Sequence, residues 1–242
     1  TVSAAAGAFT PLSVCSAMVS RQRPVVKCHL DPCRDCRPSL PEEPQRMSRL
    51  LIMSDHAISR FPVPALEDLP ADIREMIETV QEKSGFVPNV FLALAHRPDE
   101  FRAFFAAHDA LMDKSDGLSK AEREMIVVAT SATNGCLYCV VAHGAILRIR
   151  AKNPLISDQL AINPAKADLS DREQYIVEFA LKVAHDSATV SDAHLDVMRE
   201  NGFTDDEIWD IGAIAAFFAM SNRLANLASI RPNDEFFSMA RG

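Results

Sequence analysis

Apolar residues recur at helical spacing along most of this chain, and no stretch alternates in the way a half-buried strand does. Ile73, Met76, Ile77 and Val80 follow Pro70 on one helical face, and Ser84-Gly85 supplies a stop. The next pair is VPNVFLALAHRP and DEFRAFFAAHDALM, divided at Pro98. Three later helices open with a hydroxyl residue three positions before a glutamate: Ser119 with Glu122, Ser170 with Glu173 and Thr204 with Glu207. Asn134-Gly135 and Asn201-Gly202 end helices, because both residue types tolerate the left-handed backbone of a helix stop. Asn153-Pro154 and Asn163-Pro164 mark a connecting stretch between an N-terminal and a C-terminal helical group. LSKAEREMIVV (118–128) and LSDREQYIVEF (169–179) are loosely alike, as a worn duplication or two similar helix starts would be. The fold class predicted is all-α.

The pattern fails before residue 47. Pro11, Pro24, Pro32, Pro38, Pro41 and Pro44 interrupt residues 1–46, which show no sustained period and are basic where the remainder is acidic. This segment is expected to be a disordered or non-native tail, with translation starting at Met47, or else a cleaved targeting segment; residues 47–242 form the helical domain. Cys28, Cys33 and Cys36 beside His29 look like zinc ligands, but no hydrophobic framework surrounds them.

A length of 242 residues with 48% hydrophobic content suffices for a substantial core without disulfide or metal staples. A net charge of −8 opposes a polyanionic partner, so nucleic acid is not expected. The most apolar run, IGAIAAFFAM at 211–220, is half of a membrane span, which predicts a soluble, cytoplasmic protein with no membrane partner. The helix from Thr204 nevertheless carries Ile208, Trp209, Ile211, Ile214, Phe217, Phe218 and Met220, more apolar surface than one neighbour can cover. Part of it, with the helices near residues 136–143, is expected between the subunits of a homo-oligomer.

Candidate chemistry concentrates in NGCLYCVVAHG, residues 134–144. If Asn134-Gly135 breaks one helix and CLYCVVAHGAILR begins the next, Cys136 stands in its first turn, Cys139 one turn in and His143 one turn beyond. At about 100° per residue the three span an arc of roughly 60° and share a face. First-turn amides and the helix dipole favour a thiolate, and most of all at Cys136. Glu124 sits on the preceding helix among Met125, Ile126, Val127, Val128 and Ala129, which are apolar on nearly every face. A carboxylate buried there needs a partner or a proton, and His143 could supply the partner. Other readings stay open: two buried cysteines acting as small hydrophobes, a first-turn glutamate that is merely solvated, or a zinc site of Cys136, Cys139, His143 and Glu124.

Glu124, Cys136-Leu137-Tyr138-Cys139 twelve positions later and His143 four positions further on together resemble the alkylhydroperoxidase D type within the carboxymuconolactone decarboxylase superfamily. GFVPNVFLALAHRP at 85–98, GFTDDEIWDI at 202–211 and FFAMSNRLANLASIRPNDEF at 217–236 are similar to its peroxidase-related subgroup, and the likeness covers roughly residues 60–240. The resemblance implies an all-helical AhpD-like fold with a central helix pair carrying the cysteine motif, assembly into homo-oligomers, and thiol-dependent reduction of hydroperoxides without a cofactor or metal. It implies further that Cys139 becomes the sulfenic acid, that Cys136 resolves it, and that Glu124 and His143 relay the proton. A dithiol or a protein reductant then reopens the disulfide. The chain departs from the best-studied members at Tyr138, where they carry a histidine; a neutral phenol is no base near neutral pH. A disulfide oxidoreductase or adaptor without efficient peroxide turnover, and a non-catalytic helical assembly module, are the competing functions. Decarboxylation is the least supported, since it does not require the cysteine pair.

Overall fold

A computed structural model describes residues 57–242, and among them there are helices and no strands. The expectations for residues 1–46, including Cys28, Cys33, Cys36 and His29, lie outside the described residues. Ten α-helices follow in order: α1 (Ala71–Ser84), α2 (Asn89–Leu94), α3 (Pro98–Met112), α4 (Lys120–Thr133), α5 (Leu137–Ala151), α6 (Ile156–Ile162), α7 (Asp171–Asp186), α8 (Asp192–Glu200), α9 (Asp205–Ala228) and α10 (Asp234–Ser238).

Helix starts and stops follow local chemistry. Ser119, Ser170 and Thr204 each accept a hydrogen bond from the backbone N–H of the glutamate three residues on, and each glutamate accepts from the cap's own backbone N–H. Arg172 ties these starts together. Its Nε donates to Glu122 Oε1 at 2.7 Å and its Nη2 to Glu207 Oε1 at 2.5 Å, so one guanidinium joins the first turns of α4, α7 and α9. The same guanidinium carbon lies 4.4 Å over the Phe203 ring.

The centre of the fold is the α4–α5 pair, with α9 crossing α4, α5 and α7. Ile126, Val127, Ile176, Ile211, Ile214 and Phe218 bury one cluster between these helices. Each such side chain contributes roughly 2 kcal/mol by leaving water. A second cluster, from Ala93 through Cys136, Cys139, Ala142 and Ala225 to Phe236, surrounds the cysteine pair. Arg123 on α4 is fully buried yet satisfied: it donates to Asp210 Oδ2 at 2.9 Å and to the carbonyls of Leu111, Leu118 and Asp116. Asp210 accepts in turn from Lys114 Nζ at 2.6 Å.

Two expectations change. The stretch between Asn153-Pro154 and Asn163-Pro164 is not merely a connection, because α6 occupies it. Ile156 and Leu160, one turn apart, bury against Met125, Leu147 and Val177, and Gly144 on α5 gives α6 room to approach. The apolar run at 211–220 lies inside α9, whose 24 residues are by length and composition enough to cross a bilayer; half of that window is buried within this fold. Ile208, Ile211, Ile214, Phe217 and Phe218 point inward, whereas Trp209 is 74% exposed and Met220, Leu224 and Leu227 share its exposure.

Candidate active site

The turn between α4 and α5 sets the position of Cys136. Gly135 adopts φ +59°; its N–H donates to Ala132 O at 3.0 Å, and the Cys136 N–H donates to Ser131 O at 3.0 Å. These two bonds form the six-to-one and five-to-two stop that a left-handed glycine permits. Cys136 is therefore at once the last residue of one helix stop and the N-cap of α5, rather than a member of its first turn as expected from the sequence. Cys139 stands at the third helical position and His143 one turn further on.

Two asparagines of α9 hold this turn from the other side. Asn222, with no exposed surface, donates from Nδ2 to Ser131 Oγ and accepts at Oδ1 from Asn134 Nδ2, both at 2.9 Å. Asn226 Nδ2 donates to the Asn134 carbonyl at 3.2 Å. Sequence reading missed Asn222 because its contacts are more than eighty residues away; a polar Ser221-Asn222 pair interrupting an apolar helix was the available signal.

Both cysteines are free and buried. The Cys139 thiol, hydrogen-bonded to Cys136, is the largest cause that lowers the Cys136 thiol from 9.0 to about 7; burial opposes it, and the Cys139 backbone amide, Asn222 and the His143 charge assist. The same hydrogen bond pushes Cys139 well above its ordinary value, with burial adding to it. Of the two thiols, Cys136 at the helix N-terminus is thus favoured to ionise and Cys139 to keep its proton.

His143 Nδ1 lies 2.8 Å from Glu124 Oε2, and both side chains are nearly covered, 13% and 5% exposed. The other carboxylate oxygen is 3.8 Å from Arg150 Nε. The structure brings Cys136, Cys139, His143 and Glu124 together across α4 and α5. Tyr138 takes another place: its hydroxyl accepts from the Val90 N–H at 3.2 Å, fastening α2 to α5, and burial pushes its phenol far above the ordinary value. Among the described residues, no group of three or more histidine, cysteine, aspartate or glutamate side chains is arranged to hold a metal ion.

A cavity of about 160 Å³ opens beside these groups, bordered by Cys139 and His143 but not by Cys136. Its remaining wall is largely apolar, with Phe91, Phe105, Phe218 and Phe236 among the residues. Phe218 meets the His143 ring edge-on at 4.8 Å. Arg148, buried in α5, sets the Phe236 wall by donating to the carbonyls of Phe236 and Met239 and to Ser157 Oγ. His108 from α3 also borders the cavity, 6.3 Å from the His143 ring between centroids. It too escaped the sequence reading, although a histidine at the spacing of Phe101, Phe104 and Phe105 was a visible irregularity on an apolar face.

The family model described as carboxymuconolactone decarboxylase matches residues 98–154, which run from the start of α3 past the end of α5. Comparison with curated proteins finds no match. Among solved structures, an uncharacterized peroxidase-related protein from Ralstonia eutropha JMP134, an alkylhydroperoxidase AhpD core, is 64% identical with a TM-score of 0.76, over 77% of this chain and 98% of its own. An uncharacterized peroxidase-related protein from Silicibacter sp. TM1040 is 37% identical with a TM-score of 0.74, over 78% of this chain and 100% of its own. The debrominase Bmp8, 17% identical with a TM-score of 0.60 over 78% and 98%, shares the fold.

Proposed function

Since the chain belongs to the carboxymuconolactone decarboxylase superfamily, in its AhpD-like, peroxidase-related branch, we infer that it is a thiol peroxidase that reduces hydroperoxides with Cys139 and Cys136. The observation that carries this reading is the position of Cys139, which combines cavity access with a hydrogen-bonded thiol partner and a neighbouring histidine–carboxylate pair.

The two signals at the cysteines divide the work. Cys136 is the more readily ionised thiol but does not border the cavity, whereas Cys139 borders it and is the harder to ionise. Transfer of the Cys139 proton to Cys136 makes Cys139 the thiolate. It attacks the terminal peroxide oxygen, an S–O bond forms, the O–O bond breaks, and an alkoxide or hydroxide leaves. Cys136 sulfur then displaces the hydroxyl of the sulfenic acid; the Cys136 proton departs with it as water, and a disulfide closes. Glu124 and His143 take up the proton lost when the pair first ionises. A dithiol or a protein reductant resets the pair.

Mass spectrometry of the reduced protein after peroxide treatment, with and without a dithiol, tests the reading. The expected product is a 136–139 disulfide that the dithiol reverses, with one peroxide consumed per disulfide. A disulfide formed only by exchange with other disulfides, without peroxide consumption, makes the protein a disulfide oxidoreductase instead. No disulfide under either condition leaves a helical assembly module.

A further inference from the structure

Cys139 and His143 reach the cavity from α5, and a second histidine–carboxylate pair reaches it from α3. His108 Nδ1 lies 2.9 Å from Asp109 Oδ1, and both residues border the cavity. We propose that His108, oriented by Asp109, is the acid that protonates the leaving oxygen of the peroxide, a residue role separate from the Glu124–His143 relay. The proposal rests on the peroxidase reading above.

When Cys139 attacks the terminal oxygen, the electron pair of the O–O bond goes to the distal oxygen as an alkoxide. Released in a cavity lined mostly by apolar side chains, an unprotonated alkoxide is poorly solvated, so a proton that arrives as the bond breaks lowers the barrier. His143 stands one turn from Cys139 on the same helix, so its side of the cavity is that of the thiol, and its Nδ1 is engaged with Glu124. His108 has the same endowment on a different helix, α3. With Nδ1 bonded to a carboxylate, that nitrogen carries hydrogen, and a second hydrogen on Nε2 makes the ring a donor; no hydrogen bond from the described residues occupies Nε2. The two rings meet at 6.3 Å between centroids and both border the cavity, so a peroxide bound in it lies beside both. After the transfer His108 is neutral. Its side chain is 27% exposed, which lets it regain a proton from solvent before the next turnover. The balance is one thiolate and one hydroperoxide giving one sulfenate-level sulfur and one alcohol, with the proton drawn from imidazolium.

The experiment compares two oxidants. An alkoxide needs a proton in order to leave, whereas the carboxylate expelled from a peroxy acid does not. Reduced wild type, His108→Gln, Asp109→Asn and Glu124→Gln are mixed with tert-butyl hydroperoxide or with peroxyacetic acid, and the rate of thiol loss is followed. His108→Gln is expected to slow the hydroperoxide reaction roughly 10²-fold or more and the peroxyacetic acid reaction far less. Glu124→Gln, acting on the thiol side, slows both to a similar degree. Equal slowing of both oxidants by His108→Gln, or of neither, overturns the proposal. Should His108→Gln not fold, Asp109→Asn carries the same contrast with a smaller loss, and equal effects on both oxidants overturn it likewise. A wild-type protein that consumes neither oxidant overturns the peroxidase reading and this role with it.

Discussion

His143 on α5 and Glu124 on α4 meet through a single 2.8 Å contact between Nδ1 and Oε2, inside the central helix pair of the described residues. Geometry of this kind orients the ring and fixes where its proton sits. Glu124→Gln keeps the shape and removes the ionisable carrier, so peroxide-driven thiol loss should fall by roughly 10²–10⁴ with the circular dichroism spectrum retained. His143→Asn should act in the same direction. The double variant should be little worse than either single one, because groups that work as a unit are not additive. Wild-type rates in Glu124→Gln would make the glutamate structural.

Trapping separates the two sulfurs. Cys136→Ser should stop turnover yet let one equivalent of peroxide convert Cys139 to a sulfenic acid that a dimedone reagent captures. Cys139→Ser should give no adduct under the same conditions. An adduct on Cys136 in the Cys139→Ser protein would exchange the two roles, as the helix N-terminus alone suggests.

The hydrogen bond between the thiols predicts a titration. Ultraviolet thiolate absorbance of the reduced protein should rise by one thiolate as pH increases through about 7, since Cys136 ionises there rather than at 9.0. Cys139→Ala removes the largest cause of that shift. The midpoint should then move upward towards the ordinary thiol value, and a midpoint unmoved from about 7 would assign the effect to the helix terminus instead.

Buried Arg123 predicts a loss of stability rather than of chemistry. Arg123→Met leaves Asp210 buried with Lys114 as its remaining cation and abandons three carbonyls. Breaking one side of such a pair costs about 3–5 kcal/mol, to be read from denaturant unfolding. A change under about 1 kcal/mol would show that Lys114 and water suffice for Asp210.

Trp209, Met220 and Leu227 give α9 an apolar flank left exposed among the described residues. A homo-oligomer is the expected use of that flank, and light scattering at micromolar concentration should return a multiple of 26.6 kDa. Trp209→Glu should shift the distribution towards the monomer. A wild-type monomer would refute the expectation.

Legibility followed the range of the interactions. Caps at Ser119, Ser170 and Thr204 depend on residues three positions apart, and Gly135 depends on its own backbone, so each could be read from the chain. The common face of Cys139 and His143 followed from the helical period. The register of Cys136 differs by one position from the first-turn expectation, because a residue can finish one helix stop while capping the next helix, and the pattern of apolar positions cannot show that. Helix α6 was hidden between two Asn-Pro pairs, where local turn signals outweighed the single Ile156–Leu160 repeat. Sequence alone presents Tyr138 as a replacement for a base, and only the fold reveals its bond to Val90. Asn222 and His108 belong to helices distant in sequence, so their approach to the cysteines is a tertiary fact.

Arg172 bears on the dynamics of the site, although it lies away from the cavity. Because Glu122 and Glu207 each close a capping box and each also accept from this one guanidinium, the first turns of α4, α7 and α9 are tied together through one side chain. Their amides should exchange with solvent deuterium as a single cooperative unit, and Arg172→Leu should split that unit into three with separate protection. The helix that carries Glu124 would then open at its first turn, two residues from the carboxylate, and the lifetime of the Glu124–His143 contact would be set by a residue on a different helix.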